Sequence, residues 1–135
     1  MFGFFKKKEK PAKIEEKKEL SVEERARLET EAQQFIEKIA ALEQDAAVER
    51  TEIAGAYEKL GLTYAALDQI DAAIETLEKS LDHKLTIGDG YKKLMSLYNA
   101  KRAEAARNGD DAGIDKYMGK MDEMRQIAKK VTISG

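Results

Sequence analysis

The chain has 135 residues, 42% of them hydrophobic and 37% charged, with one proline, no cysteine and a formal net charge of −2. That length fits one domain, and abundant Ala, Glu, Lys and Leu favour an all-α fold because these side chains lose little rotamer freedom in a helix. Without thiols there are no disulfides, thiolate zinc sites or cysteine nucleophiles, and acidic and basic residues so interspersed leave no clustered positive face for nucleic acid.

Residues 1–20 read as a flexible arm with an apolar tip, Phe2, Phe4 and Phe5, followed by Lys6, Lys7 and Lys8 and a Lys/Glu stretch broken by Pro11. Seven lysines against four glutamates give the arm +3, which leaves −5 for the remainder. Phe rings beside Lys suit the boundary of an anionic bilayer, whereas so short a tip is too small for an amphipathic helix. Weak membrane contact and a partner-binding arm are therefore both open. An apolar-then-basic order reverses that of a signal peptide, and no apolar run reaches the length of a membrane span, so the expected location is cytoplasmic, at most peripheral to a membrane.

Ser21-Val-Glu-Glu24 has the spacing of a capping box and predicts that an extra N-terminal helix, 21–44, begins there. Its apolar stripe is Leu28, Ala32, Phe35, Ile39, Leu42 and Ala46, at alternating steps of four and three. Less than three heptads is short for an independent coiled coil, so the stripe should pack on the next helix. Asp45 is the expected cap of that second helix, running to about Leu67, although one helix continuous through Glu43 stays open. Asp68 to Asp71 supplies a turn, and Ala72 to about Ile87 returns with Ile74, Leu77, Leu81 and Leu85 inward and Glu78 outward. Gly88 ends that helix, and a fourth runs from Gly90 to about Arg107. Asn108 to Asp111 turns the chain into a last helix with Ile114, Tyr117, Met118, Met121, Met124, Ala128 and Val131 on one face, and 132–135 should fray.

Gly61 inside a helical pattern would cost about 1 kcal/mol, so another backbone should pack close against it, with Ala73 and Ser80 offering small surface. Tyr57, Leu60-Gly61, Tyr64, Ala73, Leu77 and Ser80 together resemble the signature of the tetratricopeptide repeat. Its period of about 34 residues carries Tyr57, Leu60 and Tyr64 onto Tyr91, Leu94 and Tyr98. Met95 stands where the family has Gly, so the second unit, 89–131, is more degenerate than the first, 46–87. The same step backward from Tyr57 meets Glu23, Ala26, Arg27 and Thr30, which carry no signature, and the 21–44 helix reads as a cap or half repeat.

The resemblance implies stacked antiparallel helix pairs, an α-solenoid fragment of about five helices, with a groove lined by the first helix of each pair. Family members mostly hold peptides or proteins and rarely catalyse. In some of them two recurring places grip a terminal carboxylate. One falls here on Lys59 and Lys93, while the other holds Gly55 and Asp89, so half of that clamp is missing. Glu58, Leu62, Ala65, Lys92, Ser96 and Asn99 are further groove positions, suited to an extended segment with some acidic character. Simple solvated helix surface would look the same.

Other chemistry finds little footing. Asn108, Asp110, Asp111 and Gly113 have part of a calcium-loop spacing, but the twelfth position holds Gly119 in place of a bidentate Glu, which favours a plain helix connection. Met118, Met121 and Met124 could bind Cu(I), yet methionine at steps of three more often fills an irregular core or an adaptable surface. His83 has no second ligand near it in sequence, and a helix C-terminus suits its charge. No phosphate loop or nucleophile elbow is present. The reading is a non-catalytic interaction module with no cofactor, binding a protein or peptide through Lys59, Leu62, Lys92, Lys93, Ser96 and Asn99. The alternative is a homo-oligomeric scaffold joined through the Leu28–Ala46 stripe or the Met-rich helix.

Overall fold

The computed structural model describes residues 19–134, which form five helices and no strand. The Phe2–Lys8 cluster and its membrane reading lie outside the described residues. Helix α1, Val22–Glu43, starts as its capping box predicts: Glu24 N donates to Ser21 Oγ at 3.0 Å, and Ser21 N to Glu24 Oε1 at 3.1 Å. Two of the donors orphaned at a helix start are thereby satisfied.

The α1 stripe buries Ala32 and Ile39 against Ile53, Ala56, Tyr57 and Leu60 of α2, Arg50–Ala66, with Phe35 and Leu42 packed alongside. Ala46 departs from the expected stripe, since α1 has already ended and the residue is exposed. Asp45 does not cap α2 either. Its carboxylate instead accepts from Ala47 N at 2.9 Å, folding the chain back locally, and α2 starts after Glu49 without a side-chain cap.

The returning helix α3, Ile70–His83, begins two residues before Ala72 and ends four before Ile87. Asp68 adopts φ 62° and Gln69 N bonds Tyr64 O at 2.9 Å, a left-handed close to α2 that lets α3 start at once. The early end has a tertiary cause. Arg50 Nε donates to His83 O at 2.8 Å and satisfies a terminal carbonyl of α3 from across the hairpin. Leu85 is therefore half-buried from an extended segment that follows Lys84, not from a helix face.

Helix α4 spans Asp89–Arg107 and α5 spans Asp111–Ser134, continuing beyond Val131 where fraying is expected. Asn108, Gly109 and Asp110 join them, and Asp110 Oδ1 accepts from Gly113 N at 3.0 Å, the bond a helix N-cap makes. The loop with calcium-like spacing is a capped helix connection.

Gly61 marks a close approach, as its position in the helix predicts. A Cβ built there would lie 2.6 Å from Leu77 Cγ and Cδ2 and 3.3 Å from Leu77 N. The side chain filling the gap is thus Leu77, not the small pair Ala73 and Ser80. Ser80 meets α2 elsewhere, donating its hydroxyl to Ala54 O at 2.8 Å. Leu77 and Leu94 are the largest fully buried side chains, worth about 1.5–3 kcal/mol each in burial. They centre a core of Ala73, Ile74, Leu97, Tyr98, Met121 and Met124, and Tyr64 packs against both this core and the α1/α2 cluster.

Candidate functional site

Helix α4 meets α2 through a bond that local patterns do not reveal. Glu58, expected on the groove face, instead accepts from Gly90 N at 2.7 Å and places its carboxylate at the start of α4. A carboxylate stabilises the partial positive charge of a helix N-terminus, and α4 has no cap of its own from Gly88. Gly90 is buried beneath Glu58, where a Cβ would stand 2.8 Å from Oε2.

With α4 so anchored, Leu62 of α2 and Asp89, Lys92, Lys93 and Ser96 of α4 line an open groove of about 410 Å³. Leu94, Leu97 and Tyr98 turn into the core, while Lys92, Lys93 and Ser96 are exposed on the other side of the helix. Both groove lysines are exposed, and neither side-chain ammonium makes a hydrogen bond or ion pair among the described residues. Asp89 is the acidic member of this lining.

Ser96 also belongs to a second groove, of about 500 Å³, between α4 and α5. Met95, Asn99 and Arg102 line it from one side, and Met118, Met121, Asp122 and Arg125 from the other. Arg102 Nε donates to Asn99 Oδ1 at 3.0 Å, and Arg125 pairs with Asp122 at 2.8 Å. The residues read as partner-binding therefore divide. Leu62, Lys92, Lys93 and Ser96 converge, Asn99 sits in the second groove, and exposed Lys59 lies outside both linings. Ala65 lines a different cleft, with Leu20, Arg25 and Asp68.

The signature residues carry the framework. Tyr57, Leu60, Gly61, Ala73, Leu77, Ser80, Leu94 and Tyr98 are buried, while Tyr64 and Tyr91 are half-buried. The Tyr57 hydroxyl donates to Glu43, and Tyr98 donates to Glu78, which also pairs with Lys120 at 3.3 Å. Glu78 is thus a half-buried inter-helix acceptor, contrary to the expected outward position. Burial first, then these hydrogen bonds and the adjacent negative charge, push the Tyr57 phenol up to about 12 and the Tyr98 phenol higher. The hydrogen bond that Lys101 donates to Asp71, at 3.1 Å, outweighs burial and raises the ammonium pKa.

His83 ends α3 as expected and stacks on Tyr57, with ring centroids 5.3 Å apart and planes 14° from parallel. Met121 and Met124 belong to the core, whereas Met118 is 49% exposed. Among the described residues no three His, Asp or Glu side chains are grouped to hold a metal, and no helix is long and apolar enough to cross a membrane.

No protein-family model matches the chain, and no curated protein or solved structure matches it either.

Proposed function

We propose that the chain is a non-catalytic cytoplasmic adaptor of the tetratricopeptide type, holding an extended, partly acidic protein segment along the α2/α4 groove. One observation carries this reading: Lys92 and Lys93, both without an ion partner among the described residues, converge with Leu62 and Ser96 on one open groove. Ammonium groups left unpaired at such a surface favour an anionic segment by complementarity, and Leu62 adds apolar contact for a side chain beside it. Support for the family assignment is the recurrence of Tyr57, Leu60 and Tyr64 as Tyr91, Leu94 and Tyr98 on α2 and α4. Lys59 lies outside the groove lining, so this reading rests on Lys92 and Lys93 in place of the Lys59 and Lys93 pair that the resemblance implies.

Photo-crosslinkers at Leu62 and Ser96, with one at exposed Glu75 on α3 as control, test the assignment in native lysate. The expected result is a recurrent partner at the first two sites only, lost on the double reversal Lys92→Glu/Lys93→Glu. Equal capture at Glu75, or unchanged capture by the double variant at low salt, would overturn it.

A further inference from the structure

The groove between α4 and α5 shares only Ser96 with the α2/α4 groove and has a complement on the same chain. Its floor is Met95, Met118 and Met121, flanked by Arg102 and Arg125 against one acid, Asp122. Met118 is 49% exposed and, with half-buried Met95, opens the methionine floor to the surface. At the other end of the molecule, α1 packs on α2 through one stripe and leaves a second face bare. Val22, Ala26, Glu29, Gln33, Ile36 and Ala40 follow there at alternating steps of four and three, all exposed, with Ile36 at 39%. Glu37 borders that face, and Glu29 makes no ion pair among the described residues.

We propose that the chain self-associates head to tail, the bare face of α1 in one copy occupying the α4/α5 groove of the next. Ile36 and its alanine neighbours meet the methionine floor, which adapts because an unbranched thioether fills irregular space. Glu29 and Glu37 meet Arg102 and Arg125, which gives the contact its polarity and register. Lengths agree: α1 is ~33 Å long and α4 is ~28 Å long, at ~1.5 Å per residue. Two different surfaces take part, so the contact is heterologous, and association grows with concentration into open oligomers unless the rotation closes a ring. The Leu28–Leu42 stripe takes no part, because α2 covers it.

Sedimentation velocity of the full chain, from micromolar to near-millimolar concentration, tests the assembly. The wild type is expected to shift to larger species, less so at high salt. Ile36→Arg sets a cation against Arg102 and Arg125, and Met118→Asp sets an acid against Glu29 and Glu37. Each alone raises the dissociation constant about tenfold or more. Both positions are exposed, and unchanged helix content by circular dichroism shows that each variant folds. An equimolar mixture of the two associates again, but only to a one-to-one dimer, because each supplies the one intact surface the other lacks and the two impaired surfaces stop further growth. A wild type that stays monomeric throughout overturns the proposal. So does association that both variants retain, and so does a mixture that fails to regain it, the mark of a symmetric contact. Leu62 lines only the α2/α4 groove, so crosslinking there succeeds or fails independently of these variants.

Discussion

Replacing Gly61 and Gly55 with Ala, one at a time, changes the same helix by the same methyl group and should move stability in opposite directions. At Gly55 the new Cβ meets nothing within 4 Å, so only helix propensity changes, and the variant gains about 1 kcal/mol. At Gly61 the Cβ lands 2.6 Å from two carbons of Leu77, a side chain at 0% exposure with nowhere to swing. Overpacking of this kind costs about 2–3 kcal/mol at the upper end of its range, and subtracting the propensity gain leaves a net loss of about 1–2 kcal/mol. Urea unfolding followed by circular dichroism reads both as shifts in midpoint at constant slope. In the melting temperature each kcal/mol is worth about 3–6 °C for a chain of this size. A double-mutant cycle locates the cause. Leu77→Ala alone leaves a cavity and costs about 2–5 kcal/mol, and in the Gly61→Ala background it should cost at least about 1 kcal/mol less, because the added methyl occupies part of the space. Equal stability of the two glycine variants, or additive behaviour in the cycle, would refute the close approach of α2 and α3 at this point.

Glu58→Gln keeps an acceptor for Gly90 N but removes the charge at the start of α4, and should cost about 0.5–1 kcal/mol in urea unfolding. Glu58→Ala, which leaves the buried donor unpaired, should cost about 1–3 kcal/mol, and equal losses would show that only the side-chain stem matters. For the tyrosines the sign follows from protons held. Folded Tyr57, pushed up to about 12, keeps its proton after the unfolded chain has released its own near 10, so its contribution is complete below pH 10 and is lost as pH rises toward 12. Stability measured at rising pH should therefore fall above pH 10, and Tyr57→Phe should flatten that fall; an identical fall in the variant would remove Tyr57 as its source.

What was legible in the sequence was what one helix decides by itself. Ser21 and Glu24 bond each other across three residues, so their spacing alone marked the start of α1. The face of α4 carrying Lys92, Lys93 and Ser96 followed from alternation with Leu94, Leu97 and Tyr98, which a single helical period places inside. What was not legible depended on side chains far apart in sequence. Arg50 ends α3 from 33 residues away, Glu58 starts α4 from 32, and Glu78 turns inward to meet a tyrosine hydroxyl 20 residues on. Each is a polar residue whose local pattern reads as solvated surface, and no spacing rule spans such distances. Asp45 failed for a different reason: an aspartate favours a tight turn as readily as a helix cap, and only the position of α2 decides between them.

A groove remains open between α4 and α5, whereas Gly61 lets α3 close tightly on α2. Gly61 on α2 has no side chain, so Leu77 of α3 descends into its place and closes the helix pair. On α4 the position 34 residues on from Gly61 holds Met95, half-buried and lining the α4/α5 groove. Helix α5 is still held to α4, through Met121 and Met124 in the core and by the Tyr91 hydroxyl, which donates to Met124 O at 3.1 Å. Met95, Met118 and Met121 then form an apolar floor along the seam in place of a closed contact. Met95 helps keep this surface apolar and accessible, and three methionines make it compliant enough to receive a helix of modest complementarity. Met95→Gly would take one of the three methionines from the floor of the proposed head-to-tail contact and should weaken the association seen in sedimentation velocity.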